Sequence, residues 1–384
     1  RGGIIVLSTL RISCRELSKL EAFENIVMGG VLSRRELSAT SIFLSNWQDS
    51  IAIWMNTTLK QDQTPSTYGP RIAELRYAGD WSDNHIVDQS NFFRDETNMI
   101  KYTQISNFNA RAWLEETGIL RSIYLNYGKV YPTINISTIY LYPPYKSFYI
   151  GIIELHNPQD YTIAFNTLIM IHPNNWRKSD YIDVHGWYLS DVNSIVFNMT
   201  PSGQFYEVIG LLNDTSKFFS FSYQVANDED SNITSITCSP WYLFDSYGRL
   251  YNNSYISARD VSGAFQANLT ILPGQTLRIA YFVGIASDYN SILSAINEVR
   301  SYSVEYWLNY TSTKYSDWLN SGRLTNFTDE RFNIVYKRHL VVLKNVQNPT
   351  LGTMPASTNP SSYSYKVWVR DATFVSIALI YSGH

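Results

Sequence analysis

The chain has 384 residues, 45% hydrophobic and 16% charged, with a net charge of −3. That apolar content excludes a disordered chain and suffices for a large core. The near-neutral balance, with no basic run, excludes an electrostatic footprint for nucleic acid, and no apolar segment is long enough to cross a bilayer as a helix. Residues 4–12 suit a strand and 16–27 a short helix. From about residue 40 to 285 the hydrophobic period is two. The apolar runs at 134–141, 148–155 and 161–171 are separated by Pro143-Pro144 and Asn157-Pro158, giving strand, turn, strand. Phe219, Phe221, Tyr223 and Val225 alternate with Ser220, Ser222 and Gln224. Pro273-Gly274 divides the run 265–271 from Leu277, Ile279, Tyr281 and Val283, which predicts a hairpin. So many antiparallel strands imply a large sandwich.

Near Ser287 the pattern changes. Ile292, Leu293, Ile296, Val299 and Tyr306 fall on one face of a helix over 289–308, with 311–324 continuing as helix or loop. Thr328 is placed as an N-cap, with Asp329 and Glu330 in the first turn, where the helix dipole favours negative charge. Phe332, Val335, Tyr336, Leu340, Leu343 and Val346 mark the apolar face of that helix, which ends at Asn348-Pro349. A long loop follows, and a last helix runs from about Asp371 to Gly383. The order is a β domain, a helical linker, then two helices joined by a loop.

Aromatic residues make up 15% of the chain, with 29 Tyr. Tyr favours strands and also stacks on planar or sugar-ring faces. Asn-x-Ser/Thr sequons begin at Asn56, Asn135, Asn198, Asn213, Asn232, Asn252, Asn268, Asn309 and Asn326. Asn135 lies between Ile134 and Ile136, and Asn268 alternates with Phe265, Ala267, Leu269 and Ile271, so both point away from the apolar face. Glycans there would face solvent. These features predict an extracellular or cell-surface glycoprotein, plausible for an archaeon in an acidic medium. The first residue is Arg1, which suggests a processed or excised chain. Cys14 and Cys238 are too few for a disulfide framework; they suit either one bridge or two small buried apolar residues.

Most chemistries lack their residues. His85, His156, His172, His185, His339 and His384 show no metal-ligand spacing, so no metal and no cofactor is expected. There is no Gly-x-Ser-x-Gly elbow and no phosphate loop. Glu115-Glu116 reads as a solvated turn and Asp329-Glu330 as helix-start charge. Asp228-Glu229-Asp230 is an acidic loop tip that fails as a Ca²⁺ loop, because Ile233 and Ser239 stand at the turn-Gly and bidentate-Glu positions. No carboxylate pair suited to acid/base work is found, so no catalytic residue is assigned.

The C-terminal string carries a resemblance. A helix ending Leu340-Val-Val-Leu-Lys344 is followed by Gly352-Thr-Met-Pro-Ala-Ser357, a Tyr-rich loop, and Trp368-Val-Arg370-Asp371-Ala372. Over residues 306–384 this resembles glycoside hydrolase family 15, the glucoamylase-type enzymes. Before Tyr306 the resemblance is one of element order. It implies a mainly β chain: a large antiparallel β supersandwich over 1–287, a helical linker over 288–327, and at 328–384 the beginning of an incomplete (α/α)6 barrel. It also implies that Arg370 and Asp371 hydrogen-bond the hydroxyls of a terminal glucose, with Trp368 shaping the pocket. The family has a Tyr four residues before the Trp; here Ser364 stands there, flanked by Tyr363 and Tyr365, either of which would stack on the sugar. The implied ligand is an α-glucan or related oligosaccharide, cleaved with inversion by two carboxylates roughly 6.5–9.5 Å apart, both outside this chain. The segment alone is therefore expected to be inactive, its partner being the missing barrel. The competing readings are a non-catalytic cell-surface protein with an assembly partner and a carbohydrate-binding module, each built on the sandwich. The bland reading of Arg370 and Asp371 is a salt bridge at the start of the last helix.

Overall fold

A computed structural model of the chain describes residues 40–56, 70–77, 84–103, 108–127, 131–174, 184–199, 205–212, 220–323, 325–348, 351–355 and 367–384. The strand expected at 4–12, the helix at 16–27 and Cys14 lie outside them. The described strands are β1 (Thr40–Ser45), β2 (Ile51–Asn56), β3 (Arg71–Arg76), β4 (Ile86–Asp95), β5 (Ile100–Tyr102), β6 (Phe108–Leu114), β7 (Leu120–Tyr127) and β8 (Asn135–Leu141). They continue with β9 (Phe148–His156), β10 (Ile163–Pro173), β11 (Val184–Leu189), β12 (Ser194–Asn198), β13 (Tyr206–Leu211), β14 (Ser220–Asn227), β15 (Tyr255–Ala258), β16 (Val261–Ile271) and β17 (Thr276–Ala286). The described helices are α1 (Pro240–Tyr247), α2 (Tyr289–Arg300), α3 (Val304–Ser321), α4 (Glu330–Val346) and α5 (Val369–Ser382).

The strands form two antiparallel sheets. One has the order β1-β2-β3-β4-β10-β16-β14, with β5 on β4; the other runs β15-β11-β12-β13-β17-β9-β8-β7-β6. The chain is thus mostly β, a sandwich with five described helices. Period two places Phe165, Phe265, Leu269 and Ile271 from one sheet against Ile153, Ile279, Tyr281 and Val283 from the other. Polar side chains also bridge the layers. Asn91 Nδ2 donates to Tyr140 and Tyr281 hydroxyls at 3.2 and 3.3 Å, and Tyr281 donates to Gln89 Oε1 at 2.9 Å. Gly151 makes room for this ring, since a Cβ there would lie 2.3 Å from Tyr281 Cζ.

The expected hairpin at Pro273-Gly274 is not one. β16 pairs with β10 and β14, while β17 pairs with β9 and β13 in the opposite sheet. The turn, with Gly274 at φ +69°, is an arch between layers. Asn157-Pro158 makes a second arch, from β9 to β10. The two arches are tied by the buried Asn157, whose amide reaches Ile271 O at 3.0 Å, while Gly274 N donates to Asn157 O at 2.9 Å. A turn sequence specifies a chain reversal, and the apolar faces then chose each other across the core. Pro143-Pro144, by contrast, does separate a paired β8 and β9.

Helices cover the outer faces. Ile292, Ile296 and Val299 of α2 and Trp307 of α3 pack on Ile150, Val208, Ala280 and Phe282, which is why β17 is apolar on both faces. Each such aliphatic side chain contributes roughly 1.5–3 kcal/mol. The helix expected over 289–308 is two: Ser303 caps α3 by accepting from Tyr306 N at 3.2 Å, and the restarted helix buries Val304 and Trp307 while Tyr306, expected on the apolar face, is exposed. The N-cap of α4 is Asp329, one residue past Thr328, its carboxylate accepting from Arg331 N at 3.0 Å. α1, a helix inside the region of period two, carries its own signals: Pro240 in the first turn and Gly248 beyond the end at φ +65°. α4 and α5 pack on the outer face of β1–β3 through Val346, Ala372, Val375 and Leu379.

A joint connects the sandwich to these helices. Trp47, at φ +61°, lies 4.6 Å from Tyr315 edge-on and 6.2 Å from Trp318. Asn46 supports that left-handed turn by accepting from the N–H groups of Gln48, Asp49 and Ser50. Tyr315 donates to Asn345 Oδ1 at 2.6 Å, and Asn345 Nδ2 donates to Phe43 O at 3.0 Å. Lys344 sits over the Trp47 and Trp318 rings at 5.2 and 5.8 Å, and burial lowers its pKa.

Candidate functional site

Trp368 is the N-cap of α5, and Arg370 and Asp371 lie in its first turn, so the helix starts two residues before the expected position. Arg370 Nη2 is 3.4 Å from Asp371 Oδ2, with side chains 79% and 36% exposed. An ion pair this exposed is worth roughly 0–1 kcal/mol, so it contributes little to the fold. Trp368 is half exposed. The three are adjacent and accessible on one helix start, with donors, an acceptor and an aromatic ring together. Tyr363 and Tyr365 lie outside the described residues.

Of the sequon residues, Asn135, Asn232, Asn252, Asn309 and Asn326 are exposed, and Asn198 and Asn268 are half-buried. Asn56 ends β2, and Asn213 lies outside the described residues. Cys238 is a free, buried thiol whose pKa is pushed up to about 11 by burial and by Asp230. The carboxylate pairs noted in the sequence have structural partners. Glu115 meets Arg121 at 2.7 Å, Glu116 meets Arg338 at 3.1 Å, and Asp329 meets Arg331 at 2.6 Å.

Two groups that the sequence did not single out emerge from the fold. His172, at the end of β10, lies between two carboxylates. Its Nε2 is 2.6 Å from Asp260 Oδ1, and its Nδ1 is 3.5 Å from Asp228 Oδ2. Burial lowers its pKa, but the Asp260 hydrogen bond and the Asp228, Asp260 and Asp88 charges outweigh burial and raise it to about 9. These residues are 56 and 32 positions apart in sequence, from the end of β10, the loop after β14 and the start of β16. No spacing rule could have found them. The second is Glu207 on β13. It is fully buried, neither carboxyl oxygen has a hydrogen-bond partner, and burial pushes its pKa well above the usual carboxylate range. The alternation of β13 places it on the inner face with Ile209 and Leu211.

No helix among the described residues is long and apolar enough to cross a membrane. No family model and no curated protein matches the sequence. Solved structures do match. A bacterial glucoamylase complexed with acarbose aligns at TM-score 0.63 and 11% identity, over 90% of this chain and 48% of that one. A kojibiose phosphorylase from the human microbiome aligns at TM-score 0.47 and 12% identity, over 81% and 40%. The family GH92 α-mannosidase of Bacteroides thetaiotaomicron aligns at 0.44 and 8%, over 83% and 39%. The chain spans about half the length of the glucoamylase, and what the two share is the fold.

Proposed function

We propose that this chain is the N-terminal part of a secreted, glucoamylase-like glycoside hydrolase that releases glucose from the non-reducing ends of α-glucans with inversion. The observation that carries the reading is the fold likeness to a bacterial glucoamylase over 90% of the chain. In this reading residues 1–287 are the supersandwich, 288–327 the linker and 328–384 the start of an (α/α)6 barrel. Trp368, Arg370 and Asp371, with Tyr363 or Tyr365, hold the terminal sugar. The catalytic Glu pair stands on barrel loops beyond this chain. The outer face of α5 supports the reading: Val369, Phe374, Ile377, Ile380 and Tyr381 are 81%, 50%, 40%, 71% and 77% exposed. A helix apolar on both faces belongs between two packed layers, and further barrel helices would supply the second.

The test is to compare the 384-residue chain with a longer one translated from the same gene. The longer protein should release glucose from maltose as the β-anomer, seen by proton NMR, and the short chain should release none. Normal turnover by the short chain would overturn the assignment of the catalytic pair. The exposed sequon residues favour a second reading, a non-catalytic glycosylated surface protein on the same sandwich. A longer chain that binds maltose but never cleaves it would support that reading instead.

A further inference from the structure

We propose that His172, Asp228 and Asp260 form a divalent-cation site, fit for a first-row ion such as Zn²⁺ or Mn²⁺. One ligand atom from each side chain lies within 4.8 Å of the others. One imidazole nitrogen and two carboxylate oxygens are a donor set that such ions accept. At roughly 2.1 Å per bond in a tetrahedral arrangement, ligand atoms stand about 3.4 Å apart. The present contacts run to two different ring nitrogens, Asp260 Oδ1 lying 2.6 Å from Nε2 and Asp228 Oδ2 3.5 Å from Nδ1, so an ion on one nitrogen needs the carboxylate beside the other to turn toward it.

Asp228 N donates to the backbone Asp260 O at 3.0 Å, which brings the two residues' main chains side by side. Ser239 Oγ donates to Asp228 Oδ1 at 3.0 Å and leaves Oδ2 toward the imidazole, the kind of outer-shell contact that orients a metal ligand. Side-chain exposures of 12%, 22% and 12% for His172, Asp228 and Asp260 shield the cluster, yet leave an opening for water ligands. Asp88, in register with His172 on β4, adds negative charge nearby, though Arg71 meets it at 3.1 Å.

The site is distinct from a Ca²⁺ loop at 228–239. Asp230 and Asn232 turn their oxygens onto their own loop, Asp230 Oδ2 taking Thr237 Oγ1 at 2.9 Å and Asn232 Oδ1 taking Thr234 Oγ1 at 2.8 Å. Only Asp228 of that loop faces the histidine.

The test uses the full chain after treatment with EDTA, titrated with MnCl₂ by electron paramagnetic resonance and with ZnCl₂ by calorimetry. One ion should bind per chain. His172→Gln and Asp228→Asn should each weaken binding at least tenfold, and Asp230→Asn should leave it unchanged. Circular dichroism checks the fold, and Ser239→Ala is a milder variant, expected to weaken binding without removing a ligand. Absence of binding at millimolar ion would overturn the proposal. So would binding that survives Asp228→Asn and His172→Gln, or that is lost in Asp230→Asn.

Discussion

Replacing Glu207 by Gln should make the protein more stable at neutral pH and leave it unchanged in acid. In β13 the side chain is flanked in register by Phe197 and Ile285, both fully buried, and neither oxygen has a hydrogen-bond partner. Burial raises its pKa above the ordinary 4.5. Between the ordinary and the raised value the folded chain keeps a proton that the unfolded chain has released. Stability is therefore complete below the ordinary value and falls as pH rises through the window, by about 1.4 kcal/mol per pH unit. Each unit of that window is a sizeable part of the usual 5–15 kcal/mol. Glutamine mimics the protonated acid and removes the slope. Urea midpoints for both proteins at pH 4, 5, 6 and 7 isolate the effect, since other titrating groups cancel in the difference. The variant should gain on the wild type by up to tenfold in the folding constant per unit. Parallel curves across that range would refute the reasoning, because they would mean that the carboxylate ionises as freely inside the fold as outside.

Other substitutions probe the packing and the proposed sugar-holding residues. Tyr315→Phe leaves the buried Asn345 Oδ1 without its 2.6 Å donor and should cost about 1–3 kcal/mol in chemical unfolding. Gly151→Ala drives a Cβ into the Tyr281 ring; a loss of about 1–3 kcal/mol is expected, reduced in the double variant with Tyr281→Ala, as a thermodynamic cycle would show. Arg370→Ala should change the melting temperature little, because that side chain is 79% exposed. The same variant should abolish maltose binding by the longer protein in calorimetry, and retained affinity would remove Arg370 from the sugar-holding role.

The strands were legible because period two survives in a sandwich whose inner face is apolar. Phe265, Ala267, Leu269 and Ile271 share a face in the sequence and in the core. Partners were less legible. Pro273-Gly274 has the chemistry of a tight reversal, but local chemistry does not say whether the next strand hydrogen-bonds to the last or crosses to the other layer. Nor did the apolar face of 289–308 reveal its break, because Ile292, Ile296, Val299 and Tyr306 keep helical spacing while Ser303 restarts the backbone ladder. Pro240 and Gly248 carry boundary signals for α1 that the reading of 40–285 as period two passed over.

The proposed functional residues divide along the same line. Trp368, Arg370 and Asp371 are neighbours in sequence, so a string of residues could carry them, and the helix that begins there keeps them together in space. His172, Asp228 and Asp260 meet only because β10 and β14 both pair with β16, and each looks ordinary in its own segment. Glu207 is stranger still: in the sequence it is a polar residue in an apolar run, which alternation alone would have placed on the inner face beside Ile209 and Leu211. An ionisable group in that layer pays a further, pH-dependent penalty above its ordinary pKa, a penalty absent in acid, where it keeps its proton. The pH series on Glu207→Gln tests that asymmetry directly.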